Sequence, residues 1–237
     1  MNANFSQKRI LSVDVGIKNL GLCIFYIDNN TISLQKWETV SLTNETTKLC
    51  SGYTLSNKKC NKNARFCDKE NNYYCAIHSK KLPNTFLIKN KQASKESLID
   101  LGRNMKSVFD DLLNEVGKID VLLIENQISP IATRMKTLQG MIIQYFIIKN
   151  TPEIEIISSQ NKLKVYTEYV NELKSEKTSY GGRKKMGISL TQKILDNEEK
   201  WKPYKHLFVG KKKDDLADAF LQGLYWGSRQ SHNFLLF

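Results

Sequence analysis

Two β-forming runs separated by only four residues place the strongest constraint on this chain. RILSVDV at 9–15 and LGLCIFYI at 20–27 flank the turn-like GIKN, and TISLQKWETVSL follows at 31–42 after a turn at Asp28 to Asn30. Apolar, β-branched and aromatic residues dominate these runs, and connections this short join only antiparallel neighbours. The chain is therefore expected to open with a three-stranded antiparallel meander. Helical spacing then takes over at 94–116, with Leu98, Leu101, Met105, Val108, Phe109 and Leu112 on one face. IDVLLIEN at 119–126 is a continuous apolar run, which suits a central strand covered on both faces. A second helical pattern at 131–149, the short strand EIEIIS, a helical stretch over 160–174, a glycine-bearing loop at 178–183 and a last helix from Asp214 or Asp215 complete the chain.

That order predicts an α/β fold of the RNase H-like kind, a mixed sheet with helices on both faces. The segment 43–92 stands outside it, being polar, rich in Lys and Asn, and nearly free of hydrophobic periodicity. It reads as an insertion, leaving 1–42 and 93–237 as the RNase H-like domain. Four of the five cysteines fall inside the insertion. Cys50, Cys60, Cys75 and His78 give C-x9-C-x14-C-x2-H, and the CAIH ending offers two ligands at knuckle spacing. So polar a segment would not bury four free thiols, and the expectation is one structural zinc ion, with Cys67 a competitor for Cys60 or a spare thiol.

Lys and Arg outnumber Asp and Glu by 36 to 24, and the net charge of +12 is spread along most of the sequence. Phosphate backbones are the natural polyanionic partner for such a surface. No apolar run reaches the ~18 residues that cross a bilayer, and the start MNANFSQKR lacks the apolar core of a secretory signal, so a soluble intracellular protein is expected.

Against that basic background the placement of four acids stands out. Asp14 lies inside an apolar strand and Glu125 ends another, where a charge is costly unless something compensates it. Asp215 and Asp218 are three apart at the start of the last helix, hence on one face. Hydrogen bonding to the GIKN turn would explain Asp14 alone, and N-capping would explain one of the helix acids, but neither explains all four. Oxygen ligands suit Mg²⁺ or Mn²⁺, and two such ions ~3.5 to 4 Å apart can hydrolyse a phosphodiester without a protein nucleophile.

SVDVGIKNLGLCIF, LLIENQ followed by MKTLQGMIIQYF, a later RKK and KKKDDLADAFLQGLYW together resemble the RuvC-like Holliday junction resolvases, most closely the poxvirus-type branch and its mitochondrial relatives. The resemblance covers 9–40 and about 94–230 and leaves out the cysteine-rich insertion, which the typical resolvase core lacks. It implies a homodimer that binds four-way DNA junctions and makes paired nicks with Mg²⁺ or Mn²⁺. It also implies Asp14, Glu125, Asp215 and Asp218 as the catalytic acids, with Asp214 an alternative to Asp215, and a functional lysine matching Lys184 or Lys185, of which Lys185 is preferred. A viral source would imply a cytoplasmic replication site, and a cellular one mitochondria or nucleus.

Around these acids, Asn126 and Gln127 are candidates to hydrogen-bond the DNA near the cut, and Arg183, Lys184 and the Lys211, Lys212, Lys213 run to hold its backbone. Two other classes fit parts of the pattern. Actin-like ATPases and sugar kinases share the fold and a D-x-G start, but need a second glycine-rich phosphate loop where this chain has DDLADAF. A non-catalytic zinc-bearing DNA-binding protein would have no need of four matching acids. Flaps, forks and RNA/DNA hybrids remain alternative substrates for a nuclease.

Overall fold

The computed structural model describes residues 7–28, 31–43, 48–88, 95–127, 133–173, 180–210 and 212–230. In chain order its strands and helices are β1 (Lys8–Asp14), β2 (Leu20–Asp28), β3 (Thr31–Val40), β4 (Phe66–Cys67), β5 (Tyr73–Tyr74), α1 (Ala76–Ser79), β6 (Phe86–Leu87), α2 (Leu98–Val116), β7 (Val121–Glu125), α3 (Thr133–Lys149), β8 (Glu153–Ile157), α4 (Thr167–Leu173), α5 (Tyr180–Asn197) and α6 (Lys213–Gln230). Two 3-10 turns, Ser159–Lys164 and Lys202–Leu207, flank α4 and α5. The chain divides into two compact units, Met1–Thr43 with Ser97–Phe237, and Asn44–Glu96.

The larger unit is built on a five-stranded sheet ordered β3-β2-β1-β7-β8. The meander β1-β2-β3 is antiparallel, whereas β7 runs parallel to β1 and β8 parallel to β7. Alternation along the strands assigns their faces. Ile10, Val121 and Leu123 pack with residues of α4, α5 and α6, while Leu11, Val13, Leu122 and Ile124 pack with residues of α2 and α3. Helices therefore cover both faces, which is why β1 and β7 are apolar on every side. Ser97 caps α2, its hydroxyl accepting from the Asp100 amide, one turn inside the limit that periodicity alone suggested.

Two local expectations fail. The stretch 160–174 is not one helix, because the 3-10 turn ends at Lys164 and α4 begins at Thr167, with Tyr166 between them at φ 47°. Residues 180–183 open α5 instead of forming a loop; 178 and 179 lie outside the described residues. Gly181 and Gly182 fall in the first helical turn, where amides have no intrahelical partner to lose, and Leu190, Ile194 and Leu195 further along are buried in the core. Packing downstream overrides the two glycines.

The smaller unit has a three-stranded sheet ordered β5-β4-β6 and an antiparallel arm from Lys48 to Ala64, closed by Cys50 N–H to Lys62 O at 2.9 Å and Cys60 N–H to Gly52 O at 2.8 Å. Its buried apolar cluster consists of Cys50, Cys60 and Cys75, with Tyr74 packed against them. Among the described residues no helix of either unit is long and apolar enough to cross a membrane.

Candidate active site

Asp14 is the last residue of β1 and Glu125 the last of β7. Because Val13 pairs with Ile124 in parallel register, the two carboxylates end neighbouring strands at the same level. Residues 10, 12 and 14 share one face of β1, and 121, 123 and 125 share that face of β7, so both side chains point to the side covered by α6. Asp218 arrives from α6. Gln222, one turn further along, donates from Nε2 to Ser12 Oγ at 3.1 Å and the Val13 carbonyl at 3.3 Å, which fixes the helix against β1. Gly21 permits that approach: a Cβ there would lie 2.5 Å from the Asp215 carbonyl oxygen.

At the centre sits a residue that sequence reasoning missed. Lys162, from the 3-10 turn after β8, is buried, and its Nζ lies 3.0 Å from Asp218 Oδ2, 3.2 Å from Glu125 Oε2 and 3.7 Å from Asp14 Oδ1. A lysine in SSQNKLKVY reads as a surface lysine, because nothing nearby marks it as buried. The available signal was topological: the segment after a parallel strand begins at the same carboxyl edge as the ends of its neighbours. Three carboxylates around one ammonium hold it well above the ordinary lysine range despite burial. Burial pushes Asp14 up, against the attraction of Lys162, and a hydrogen bond shared with Glu125 pushes it the same way. Burial also raises Asp218.

The two adjacent acids of α6 have different surroundings. Asp214 accepts from Lys184 Nζ at 2.8 Å. Asp215 has a buried Oδ2 with no hydrogen-bond partner. Burial, with repulsion from Asp214 and Asp14, pushes Asp215 up to about 6. The folded state thus holds this proton more tightly than the unfolded chain, whose aspartates titrate near ~3.9. Its stabilising contribution is complete below about pH 4 and is lost as the pH rises through about 6. Asp215→Asn is therefore expected to stabilise the metal-free protein by about 1 kcal/mol near neutral pH, after discounting for partial exposure, and to change little near pH ~4. Thermal unfolding of both proteins at the two pH values checks this; a gap that does not depend on pH would sink it.

Of the flanking residues, Lys184 and Lys185 are both exposed, but Lys184 pairs with Asp214 at 2.8 Å and its charge pulls Asp14, Asp215 and Asp218 downward. Asn126 donates its amide to the Ile157 carbonyl and accepts at Oδ1 from Lys136 Nζ at 3.4 Å. Gln127 follows it, half-buried. Lys212 is exposed, and Lys213 lies 4.9 Å from the Phe208 ring centroid. Lys211 and the side chain of Arg183 lie outside the described residues.

A family model described as mitochondrial resolvase Ydc2 / RNA splicing MRS1 matches residues 10–206. The chain belongs to this family. An uncharacterized protein of Acanthamoeba polyphaga mimivirus is 29% identical over 237 residues, covering 88% of this chain and 57% of that protein. This Ydc2-family chain thus spans little more than half the length of that curated relative. Among solved structures it resembles the yeast mitochondrial Holliday junction resolvase Ydc2 at a TM-score of 0.53, with 18% identity over 98% of this chain and 84% of the other. That likeness establishes a Ydc2-like fold for the larger unit's mixed sheet and helices.

The smaller unit holds a second cluster. Ligand atoms of Cys50, Cys60, Cys75 and His78 all lie within 4.8 Å of one another, with His78 Nδ1 at 3.1 Å from Cys50 Sγ and 3.6 Å from Cys75 Sγ. Thiolates and imidazole around one zinc at Zn–S ≈ 2.3 Å would stand about 3.5 to 4 Å apart, so the set needs little movement to close on an ion. Burial pushes the Cys75 thiol up, but the amides of His78 and Ile77 offset this and leave it below its ordinary value. A Cβ on Gly52 would lie 2.5 Å from His78 Nδ1, so only glycine fits beside the ring. Cys67 is in β4 and is not part of the set.

Proposed function

We propose that this protein is a Mg²⁺- or Mn²⁺-dependent endonuclease that resolves four-way DNA junctions by paired nicks, working as a homodimer. The observation that carries this reading is the convergence of Asp14, Glu125 and Asp218 on one buried lysine, with Asp215 beside them, at the carboxyl end of the sheet in a Ydc2-family chain. The donor set fits a hard cation: every ligand atom is a carboxylate oxygen, and Asp215 Oδ2 is buried and unsatisfied. Asp14, Glu125, Asp215 and Asp218 would hold the metal; Asp214, engaged by Lys184, is the weaker choice for the third position. Divalent cations bound there supply an activated water and neutralise the charge on the scissile phosphate.

The chain's own groups do the rest. Lys162 balances the crowded carboxylates, keeping the site assembled before any cation arrives, and its ammonium is placed to stabilise negative charge developing on a phosphate oxygen. Lys184, which pairs with Asp214 and acts electrostatically on the other acids, adds positive potential at the rim in preference to Lys185. Lys212 and Lys213 suit backbone binding, and Asn126 and Gln127 stand next to Glu125 where the cut strand would pass. A structural zinc ion held by Cys50, Cys60, Cys75 and His78 completes the metal content.

Lys162→Met tests the balancing role. In metal-free protein it leaves the buried Asp14 and the half-buried Glu125 and Asp218 without their cation, a loss of about 2 kcal/mol after discounting for partial exposure. Added Mg²⁺ is expected to raise the melting temperature of the variant more than that of wild type. Equal shifts would remove Lys162 from this role.

The family also includes an RNA splicing protein. Retention of all four acids in one cluster favours a nuclease over a binding protein. Incubation with a labelled four-way DNA junction, a linear duplex, and an RNA duplex, each with Mg²⁺, separates the readings. Symmetric nicks on the junction with much weaker duplex cutting are expected; equal rates on junction and linear DNA would refute the resolvase assignment while sparing the nuclease.

A further inference from the structure

The arm of the smaller unit ends in a tip whose chemistry the catalytic site does not use. Leu55 at the tip is fully exposed and Tyr53 is largely so. The tip is nonetheless fixed. Thr54 N–H donates to the Lys58 carbonyl at 2.8 Å, Asn57 N–H to the Thr54 carbonyl at 3.0 Å, and Lys58 N–H to Thr54 Oγ1 at 3.2 Å. Asn57 takes the left-handed turn position with φ 56°. Below the tip the two legs are joined at Cys50 and Cys60, two members of the cysteine–histidine cluster. A rigid loop that holds a leucine entirely in solvent gains nothing from it within this unit.

The same unit concentrates exposed apolar and basic groups. Of twelve large hydrophobic residues exposed among those described, seven lie between Leu49 and Leu87. Over 48–88 the sequence has eight Lys or Arg and two acids, and all eight basic residues are exposed. One of the two acids, Asp68, is engaged within its own turn, accepting from the amides of Glu70 and Asn72 and from the Tyr74 hydroxyl. Lys58 and Lys59 stand directly after the exposed tip. Positive charge beside exposed apolar and aromatic surface, with almost no negative charge to attract a basic partner, matches a phosphate backbone with sugar and base faces alongside.

We infer that the arm tip, Tyr53 to Lys59, is a DNA-binding finger whose legs are held by the metal cluster, with Lys58 and Lys59 on phosphates and Leu55 and Tyr53 against sugar or base. This rests on the reading of the chain as a DNA enzyme, and it adds a contact surface outside the catalytic domain.

The test uses the whole chain and a fluorescent four-way DNA junction, with affinity measured by anisotropy across a series of KCl concentrations without added divalent cation. Lys58→Glu with Lys59→Glu is expected to weaken binding at least tenfold near physiological salt. It should also lower the slope of log affinity against log salt by about two, one for each lost phosphate contact. Lys58→Gln with Lys59→Gln places no negative charge near the cysteines and should lower the slope by the same amount. Leu55→Ser should weaken binding severalfold with no change in slope. Zinc content per chain is measured on each variant, so that loss of the metal is told apart from loss of a DNA contact. Unchanged affinity and slope in variants that keep their metal overturn the finger, and would leave an acidic protein partner as the occupant of this surface. The two readings fail separately: a wild type that nicks no junction, but whose DNA affinity still falls in the lysine variants, loses the resolvase assignment and keeps the finger.

Discussion

Asp14→Asn is expected to lower junction nicking about a thousandfold while leaving junction binding nearly intact. The carboxylate ends a buried strand, hydrogen-bonds Glu125 and pairs with Lys162, so it stands where the other acids meet. An amide there keeps the size and one acceptor oxygen but removes the charge that a hard cation needs, and loss of one such electrostatic group costs about two to three orders of magnitude. The fold should survive, since Lys162 retains Glu125 and Asp218 at 3.2 and 3.0 Å. Asp218→Asn should behave alike. Time courses of nicking on a labelled junction, with binding measured in parallel, decide the matter. Full activity in both variants would mean that the chemistry lies elsewhere.

Cys75→Ser is expected to reduce zinc from one ion per chain to nearly none and to unfold the smaller unit without unfolding the larger. The reason is the absence of another core: among the described residues the unit's buried apolar cluster is the three cysteines with Tyr74. Its strands β4, β5 and β6 have two residues each, too short to hold together by ladder hydrogen bonds alone. A structural zinc supplies on the order of 10 kcal/mol to such a unit, which is then folding energy. Metal analysis of protein purified without chelator, with limited proteolysis between residues 44 and 96, reads both effects. Wild type carrying well under one zinc per chain, or a variant with unaltered protease resistance, would exclude the metal.

Much of this was legible in the residues themselves. Strand and helix order follows from hydrophobic period, a local property, and so the meander, the buried β7 and the helices on both faces are legible in the sequence. Asp14 and Glu125 announced themselves because a carboxylate in an apolar strand is anomalous against its immediate neighbours. Asp215 and Asp218 did so because helical spacing puts them on one face. The cysteine–histidine set was likewise carried by spacing, although the choice between Cys60 and Cys67 was not.

What the sequence left open was settled by residues distant in the chain. Lys162 is an ordinary lysine in an ordinary polar segment until β8 pairs in parallel with β7 and brings the turn after it against the ends of β1 and β7. Asp214 and Asp215 differ in partner: α5 brings Lys184 to within 2.8 Å of the first, while an oxygen of the second is buried without a hydrogen bond. The same helix forms through two glycines because its apolar face has the core to pack against. Local pattern determines which elements form and which residues are out of place within them; the partner that neutralises a buried charge is chosen by chain crossings, and only the tertiary structure decides those.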